Sequence, residues 1–239
     1  MQSRDWSQQP PFIYPDYKSS LRRGPTKPLI ELQPLYQNHQ ESIAGELLGS
    51  LLNRYQTGEL DHDLTRNARD QGEPIGERIV VSGQVLDDRG KPVAGALVEI
   101  WQANSCGRYI HKVDQHDAPV DPNFLGAGRV VTDNDGYYRF YTIKPGAYPW
   151  GNHSNAWRPQ HIHFSVTGAN IATRLVTQMY FPGDPLLDLD PIFESVPKQA
   201  RPRLVSFFDL SITEPDFALG YRFDIVLRGA SATPTDNHR

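Results

Sequence analysis

From about residue 76 onward the chain is written as short apolar runs cut by turn residues, at spacings that leave no room for helical crossovers. "RIVVSGQVL" leads into "DDRGKP" and then "ALVEIWQA"; "DNDG" precedes "YYRFYTI", which stops at "KPG". "HIHFSV", "RLVTQMYF" and "YRFDIVLRG" follow. In the last of these, Tyr221, Phe223, Ile225 and Leu227 alternate with Arg222, Asp224, Val226 and Arg228, the period of a strand with one face buried. β-branched and aromatic runs broken by Gly, Pro and Asp at this interval predict a mainly β chain folded as an antiparallel β-sandwich. A parallel α/β sheet needs a long crossover between each pair of strands.

The first 35 residues read differently. "QQPPFIYPDYKSSLRRGPTKPLIELQP" is rich in proline, which removes backbone donors and restricts the preceding residue. An extended arm is expected, and Trp6, Phe12, Tyr14 and Tyr17 give it reason to pack on something. Ile43, Leu47 and Leu51 stand at helical spacing. In "VPKQARPRLVSFFDL" a short helix is expected, limited by Pro202. The resulting division is 1–75 as arm and linker packing on the core or a partner, 76–229 as the sandwich, and 230–239, "ASATPTDNHR", as a flexible tail.

Composition excludes several function classes. A net charge of −4 gives no basic surface for nucleic acid. The sequence has no apolar run of membrane-spanning length and no signal-peptide core near its start. A single cysteine, Cys106, excludes an internal disulfide and fits a reducing cytoplasm.

The chemistry concentrates in "WRPQHIHF". His161 and His163 lie two apart, so on a strand both rings face one side. Such a pair fits a metal site and fits equally two hydrogen-bonded histidines. The usual supplementary ligands are missing from its neighbourhood: there is no HExxH, no nearby Glu and only one Cys. His62, His111 and His116 sit in polar stretches and are expected to be solvated. Tyr109, after a strand and a glycine, and Tyr148, at a strand-to-loop passage, are either packed aromatics or phenolate donors. Phenol ionises near pH 10, and a trivalent cation can lower that greatly. Two phenolates with two neutral imidazoles suit Fe(III) better than a soft or divalent metal.

Taken in order, "GRY", "IKPGAYPW" and "WRPQHIHF" closely resemble the intradiol ring-cleavage dioxygenases. "YPDYKSS", "PIGERI", "LVEIWQAN", "DPNF", "GRVVTDNDGYY", "LVTQMYFPGDPL" and "YRFDIVLRG" extend the likeness over most of the chain, toward the protocatechuate-cleaving branch. The resemblance implies a non-haem Fe(III) centre with Tyr109, Tyr148, His161 and His163 as its metal ligands. It implies a catechol-type substrate bound as a dianion, cleaved with O2 between its hydroxyl-bearing carbons. Tyr148 would take a substrate proton, and Arg158 would stabilise developing negative charge. Tyr17, Trp150, Gln178 and Ile192 match substrate-binding positions. A related iron-free alpha subunit is implied as partner in a hetero-oligomer.

Departures bear on the substrate. Around the axial tyrosine the family reads "PYPWRN", whereas this chain has "AYPWGN", with Ala147 and Gly151; Gln160 stands where a small residue is usual. A substituted catechol such as 4-sulfocatechol, or hydroxyquinol, is therefore the alternative substrate. "GQVLDDRGKPVAGALVEI" and "TDNDGYYRFYTI" would also suit a non-catalytic transthyretin-like module, which has no use for the four Tyr and His residues.

Overall fold

The computed structural model describes residues 4–23, 57–68, 72–151, 156–168 and 174–236. The helical spacing of Ile43, Leu47 and Leu51 falls outside the described residues. Eleven strands dominate them: β1 (Arg78–Leu86), β2 (Leu97–Trp101), β3 (Ala127–Val131), β4 (Tyr137–Ile143), β5 (Tyr148–Trp150), β6 (Ala156–Arg158), β7 (His161–Thr167), β8 (Arg174–Tyr180), β9 (Phe207–Phe208), β10 (Leu219–Arg222) and β11 (Ile225–Val226). Helix α1 (Pro191–Ser195) is short. A 3-10 turn at Arg201–Leu204 carries Pro202 at its start, as the sequence suggested. Among the described residues no helix is long and apolar enough to cross a membrane.

Two main sheets face each other. One is antiparallel throughout, in the order β3-β2-β7-β8. The other is mixed: β1 pairs antiparallel with β4 on one edge, and parallel with β10 and then β11 on the other. The expected β-sandwich is present and mostly antiparallel, with one parallel join of β1 to β10 and β11. β1 and β10 are separated by most of the sandwich, so the chain has ample length to return in the same direction without a helical crossover.

Alternation places the core. Ile79, Val81 and Val85 of β1 and Phe140 of β4 meet Val98 and Ile100 of β2, and Ile162, Phe164 and Val166 of β7. Tyr221, Phe223, Ile225 and Leu227 join them, as their spacing predicted. That last run is one apolar pattern but two strands. Between them the Asp224 side chain, in place of backbone, accepts the Gln84 N–H at 2.9 Å, while the Tyr138 hydroxyl donates to the Phe223 carbonyl.

The arm packs down, with Tyr17 buried. Residues 232–234 are buried too, so the tail expected to be flexible from 230 is fastened as far as 236. Its own backbone explains this. Thr233 N donates to Val226 O at 2.9 Å and Asp236 N to Val176 O at 2.6 Å, pairing that composition alone does not reveal.

Gly83 marks where the mixed sheet is closest. A Cβ there would lie 1.8 Å from the Phe223 carbonyl oxygen, a backbone atom that cannot give way without moving its strand. Gly83→Ala should cost at least about 2 kcal/mol, measured as a lowered urea midpoint; wild-type stability would contradict this account of the join.

Candidate metal centre

β7 serves the core with one face and the site with the other. Ile162, Phe164 and Val166 point inward, which sends His161 and His163 to the outer face of their sheet. Register then fixes their neighbours: Tyr180 lies opposite His161, Gln178 opposite His163 on β8, and Trp101 opposite His163 on β2. The Trp101 ring stacks on His163 with an interplanar angle of 2° and centroids 4.9 Å apart. The two imidazoles are 4.8 Å apart and nearly perpendicular.

The β5–β6 hairpin delivers the next two groups. Tyr148 pairs with Arg158, and the chain passes from Arg158 through Pro159 into β7. Tyr148 Oη consequently stands 3.2 Å from His161 Nε2. His161 Nδ1 lies 2.7 Å from the Pro159 carbonyl. A carbonyl only accepts, so Nδ1 carries the proton and Nε2 presents its lone pair toward Tyr148.

Tyr109 arrives on the loop after β2. Asn104 Oδ1 accepts the N–H groups of Cys106 and Arg108, both at 2.9 Å. Asp114 accepts the Tyr109 N–H at 2.7 Å and pairs with Arg108 at 3.1 Å. Gly107, at φ +76, lies so close to the other tyrosine's segment that a Cβ would sit 2.1 Å from the Ala147 carbonyl. This approach brings the Tyr109 and Tyr148 rings edge to face, 5.5 Å apart at 83°.

The four residues singled out in the sequence therefore converge. Burial raises the pKa of Tyr109 well above the usual phenol value, with the Tyr148 phenol adding to it. Burial likewise raises Tyr148, against an opposing pull from the Arg158 charge. Burial, with Arg158, lowers His161 strongly and takes His163 to about 3. Without a cation the site is thus two neutral phenols and two neutral imidazoles. Tyr109 Oη is buried with no hydrogen-bond partner, a costly state unless something else meets this atom; His163 Nδ1, also buried without one, faces the Asp236 carboxylate at 3.9 Å. Among the described residues no group of three His, Cys, Asp or Glu is placed to hold a metal, so any ion bound at this pair would draw on the tyrosines.

Arg158 is 3% exposed and forms an ion pair with fully buried Asp190, Nε to Oδ1, at 3.1 Å. Its Nη2 donates to Asp190 Oδ2 at 3.1 Å, to Tyr180 Oη at 3.2 Å, and to Gln178 Oε1. Burial would lower its pKa, but Asp190, followed by Tyr180 and Tyr148, raises it above the free value. The guanidinium lies 5.5 Å over the Trp150 ring, which in turn meets the Tyr17 ring at 5.2 Å. Tyr17, Gln178 and Ile192 line a cavity beneath the arm, together with Arg23, Tyr180 and Asp236. Trp150 thus links Tyr17 of that cavity to Arg158.

His62 and His111 are exposed; His116 meets Trp157 edge to face at 6.0 Å. None of them joins the cluster. The sequence reading missed Asp190, Tyr180, Asp114 and Asp236. Asp190 had a usable signal: Asp before Pro is a helix N-cap pattern, and Asp190 does cap α1 through the Ile192 N–H. Tyr180 ends a strand run whose pattern shows its face and not its polar role, and Asp114 and Asp236 lie in segments without pattern.

A pH dependence follows. Burial holds His163 neutral down to about pH 3, while an unfolded histidine titrates near 6.5. Below about 6.5 the unfolded chain therefore binds a proton that the folded chain refuses, and stability falls with pH. Urea denaturation of the metal-free protein at about pH 7 and about pH 5 should give a lower midpoint at the acid value. His163→Gln should reduce the difference.

Known proteins resemble this chain over most of its length. The family described as Dioxygenase matches residues 52–229, and the family described as Protocatechuate 3,4-dioxygenase beta subunit N terminal matches residues 3–34. The protocatechuate 3,4-dioxygenase beta chain of Burkholderia cepacia is 61% identical over 233 residues, covering 98% of this chain and 96% of that one. The alpha chain of the same enzyme from that organism is 31% identical, over 66% of this chain and 76% of its own. The crystal structure of 3-chlorocatechol 1,2-dioxygenase from Rhodococcus opacus 1CP superposes with a TM-score of 0.55 at 20% identity, covering 77% of each chain, which speaks to the fold. The chain belongs to the intradiol ring-cleavage dioxygenases, in the family of protocatechuate 3,4-dioxygenase beta chains.

Proposed function

We propose that this chain is the iron-bearing beta subunit of an enzyme that opens the ring of protocatechuate with O2, giving 3-carboxy-cis,cis-muconate. The observation that carries the reading is the convergence of Tyr109, Tyr148, His161 and His163 on one buried spot. The donors fit a hard trivalent cation: two imidazoles kept neutral, and two phenols able to ionise against positive charge. Tyr109, Tyr148, His161 and His163 would hold Fe(III), which the intradiol family uses and which, when bound, supplies the Lewis acidity that makes a catechol dianion and then its attack by O2 accessible.

The remaining steps belong to the chain's own groups. A catechol must lose both hydroxyl protons to bind as a dianion; Tyr148 Oη, as a phenolate, accepts one of them, and the other passes to a hydroxide from solvent. The Pro159 carbonyl keeps His161 Nδ1 protonated and so keeps its Nε2 available throughout. Arg158 remains charged at any working pH because Asp190 shares its burial, and its fixed positive field favours negative charge developing on the opening ring. Tyr17 and Trp150 meet at a tilt to form a wall beside it, giving the aromatic substrate an apolar face, while Gln178 and Ile192 support that wall from the cavity beneath the arm.

The similarity to both chains of the Burkholderia cepacia enzyme supports a hetero-oligomer with a related alpha chain, and the single unpaired cysteine suits a cytoplasmic setting. A second reading concerns the substrate. Gly151 is exposed, and a Cβ added there would meet nothing within 4 Å. The family's arginine is absent from this open place, so a catechol bearing another substituent has room.

Turnover of protocatechuate, catechol and 4-sulfocatechol, with and without an alpha chain, separates the readings. Protocatechuate should lead in kcat/KM by at least about tenfold, an ordinary margin for a site that pairs a substrate's polar group; a lead by 4-sulfocatechol would favour the second reading. Tyr148→Phe should slow catechol binding about a hundredfold, the usual worth of a positioned base, in stopped-flow absorbance. An unchanged binding rate would remove Tyr148 from the proton step.

A further inference from the structure

Asp236 lies outside every element that carries the four rings, yet its carboxylate reaches the same spot. Residues 234–236 run along β8, the terminal strand of its sheet. Thr177 Oγ1 donates to Pro234 O at 2.8 Å, Thr235 Oγ1 to Val176 O at 3.1 Å, and Asp236 N to the same carbonyl at 2.6 Å. These contacts turn the Asp236 side chain inward, leaving it 5% exposed.

There it faces two groups. Asp236 Oδ2 accepts a hydrogen bond from Gln178 Nε2, whose Oε1 is already held by Arg158 and by the Tyr180 hydroxyl at 3.0 Å. The Gln178 amide is thereby oriented from both ends. The same Asp236 oxygen stands 3.9 Å from His163 Nδ1, a buried nitrogen with no hydrogen-bond partner. That separation is too long for a hydrogen bond. In a low-dielectric site a carboxylate at that separation still acts on the ring, because it attracts an N–H and repels a lone pair.

We propose that Asp236 is a positioning residue for the metal centre: its carboxylate selects the Nδ1–H tautomer of His163, turning the Nε2 lone pair to the metal, and ties that histidine through Gln178 to the Arg158 network. The inference rests on the reading of His163 as a metal ligand. His161 reaches the same tautomer by a different device, the Pro159 carbonyl. Carboxylates behind metal-bound histidines commonly change metal affinity by about 10- to 100-fold, and here the carboxylate comes from a segment whose sequence carries no pattern of its own.

Two readouts test this without relying on turnover. Nitrogen-15 NMR of the metal-free wild-type protein should find His163 protonated at Nδ1; protonation at Nε2 would overturn the proposal with no variant needed. After loading with ferric iron, Asp236→Asn should release iron to a chelator about tenfold faster than wild type. Its metal-free Tm should stay within a few degrees, and Asp236→Glu should restore slow release. Release from Asp236→Asn at the wild-type rate would also overturn the proposal. If the wild-type chain takes up no iron, the ligand assignment itself fails and this inference falls with it. If wild type holds iron and only the Asp236 effects are missing, the ligand assignment stands.

Discussion

Strand β7 is the part on which everything else depends, because one backbone pleat serves two purposes. Its inward residues, Ile162, Phe164 and Val166, are fully buried in the sandwich core, and the same alternation commits His161 and His163 to the opposite face. A shift of one residue in its pairing with β2 and β8 would exchange those sets, placing imidazoles in the core and isoleucine at the site. The antiparallel register on both sides opposes that slip. The stability of the fold is therefore also what positions the two rings.

Around that strand the site is assembled from three loops, each fixed by polar contacts that an apolar core could not supply. Asp114 and Asn104 shape the passage to Tyr109, the β5–β6 hairpin carries Tyr148, and the Arg158–Asp190 pair closes the far side. A buried ion pair adds little net stability because desolvation offsets its attraction. Its geometry is its value: Arg158 is anchored through Nε and one Nη to both Asp190 oxygens, so its charge sits at a defined place beside Tyr148 and Trp150.

Much of this was legible in the sequence, and the reasons differ by element. β-branched and aromatic runs cut by turn residues announced β1, β4, β7 and β8, while period-two alternation was read in the run that holds β10 and β11. The break between β10 and β11 was not legible, because Asp224 substitutes a side-chain acceptor within an unbroken alternation. Parallel pairing of β1 with β10 was hidden for a similar reason: burial patterns give the face of a strand and not its direction. The four ring-bearing residues could be named as a set through family resemblance, whereas spacing alone gave only the His161 and His163 pair. Asp236 acts on β7 and β8 from far away in sequence, and Asp114 shapes its own loop through Tyr109 and Arg108; no sequence pattern marks either role.

The central claim is that two phenols and two imidazoles form one ferric site, and an optical titration of the metal-free chain with ferric iron tests it most directly. The account predicts uptake of about one equivalent with growth of a burgundy tyrosinate-to-iron band, the set of donors being hard and anionic once the phenols ionise. Tyr109→Phe and Tyr148→Phe should each weaken or shift that band. A chain that stays colourless with iron, or a band indifferent to both substitutions, would contradict the claim.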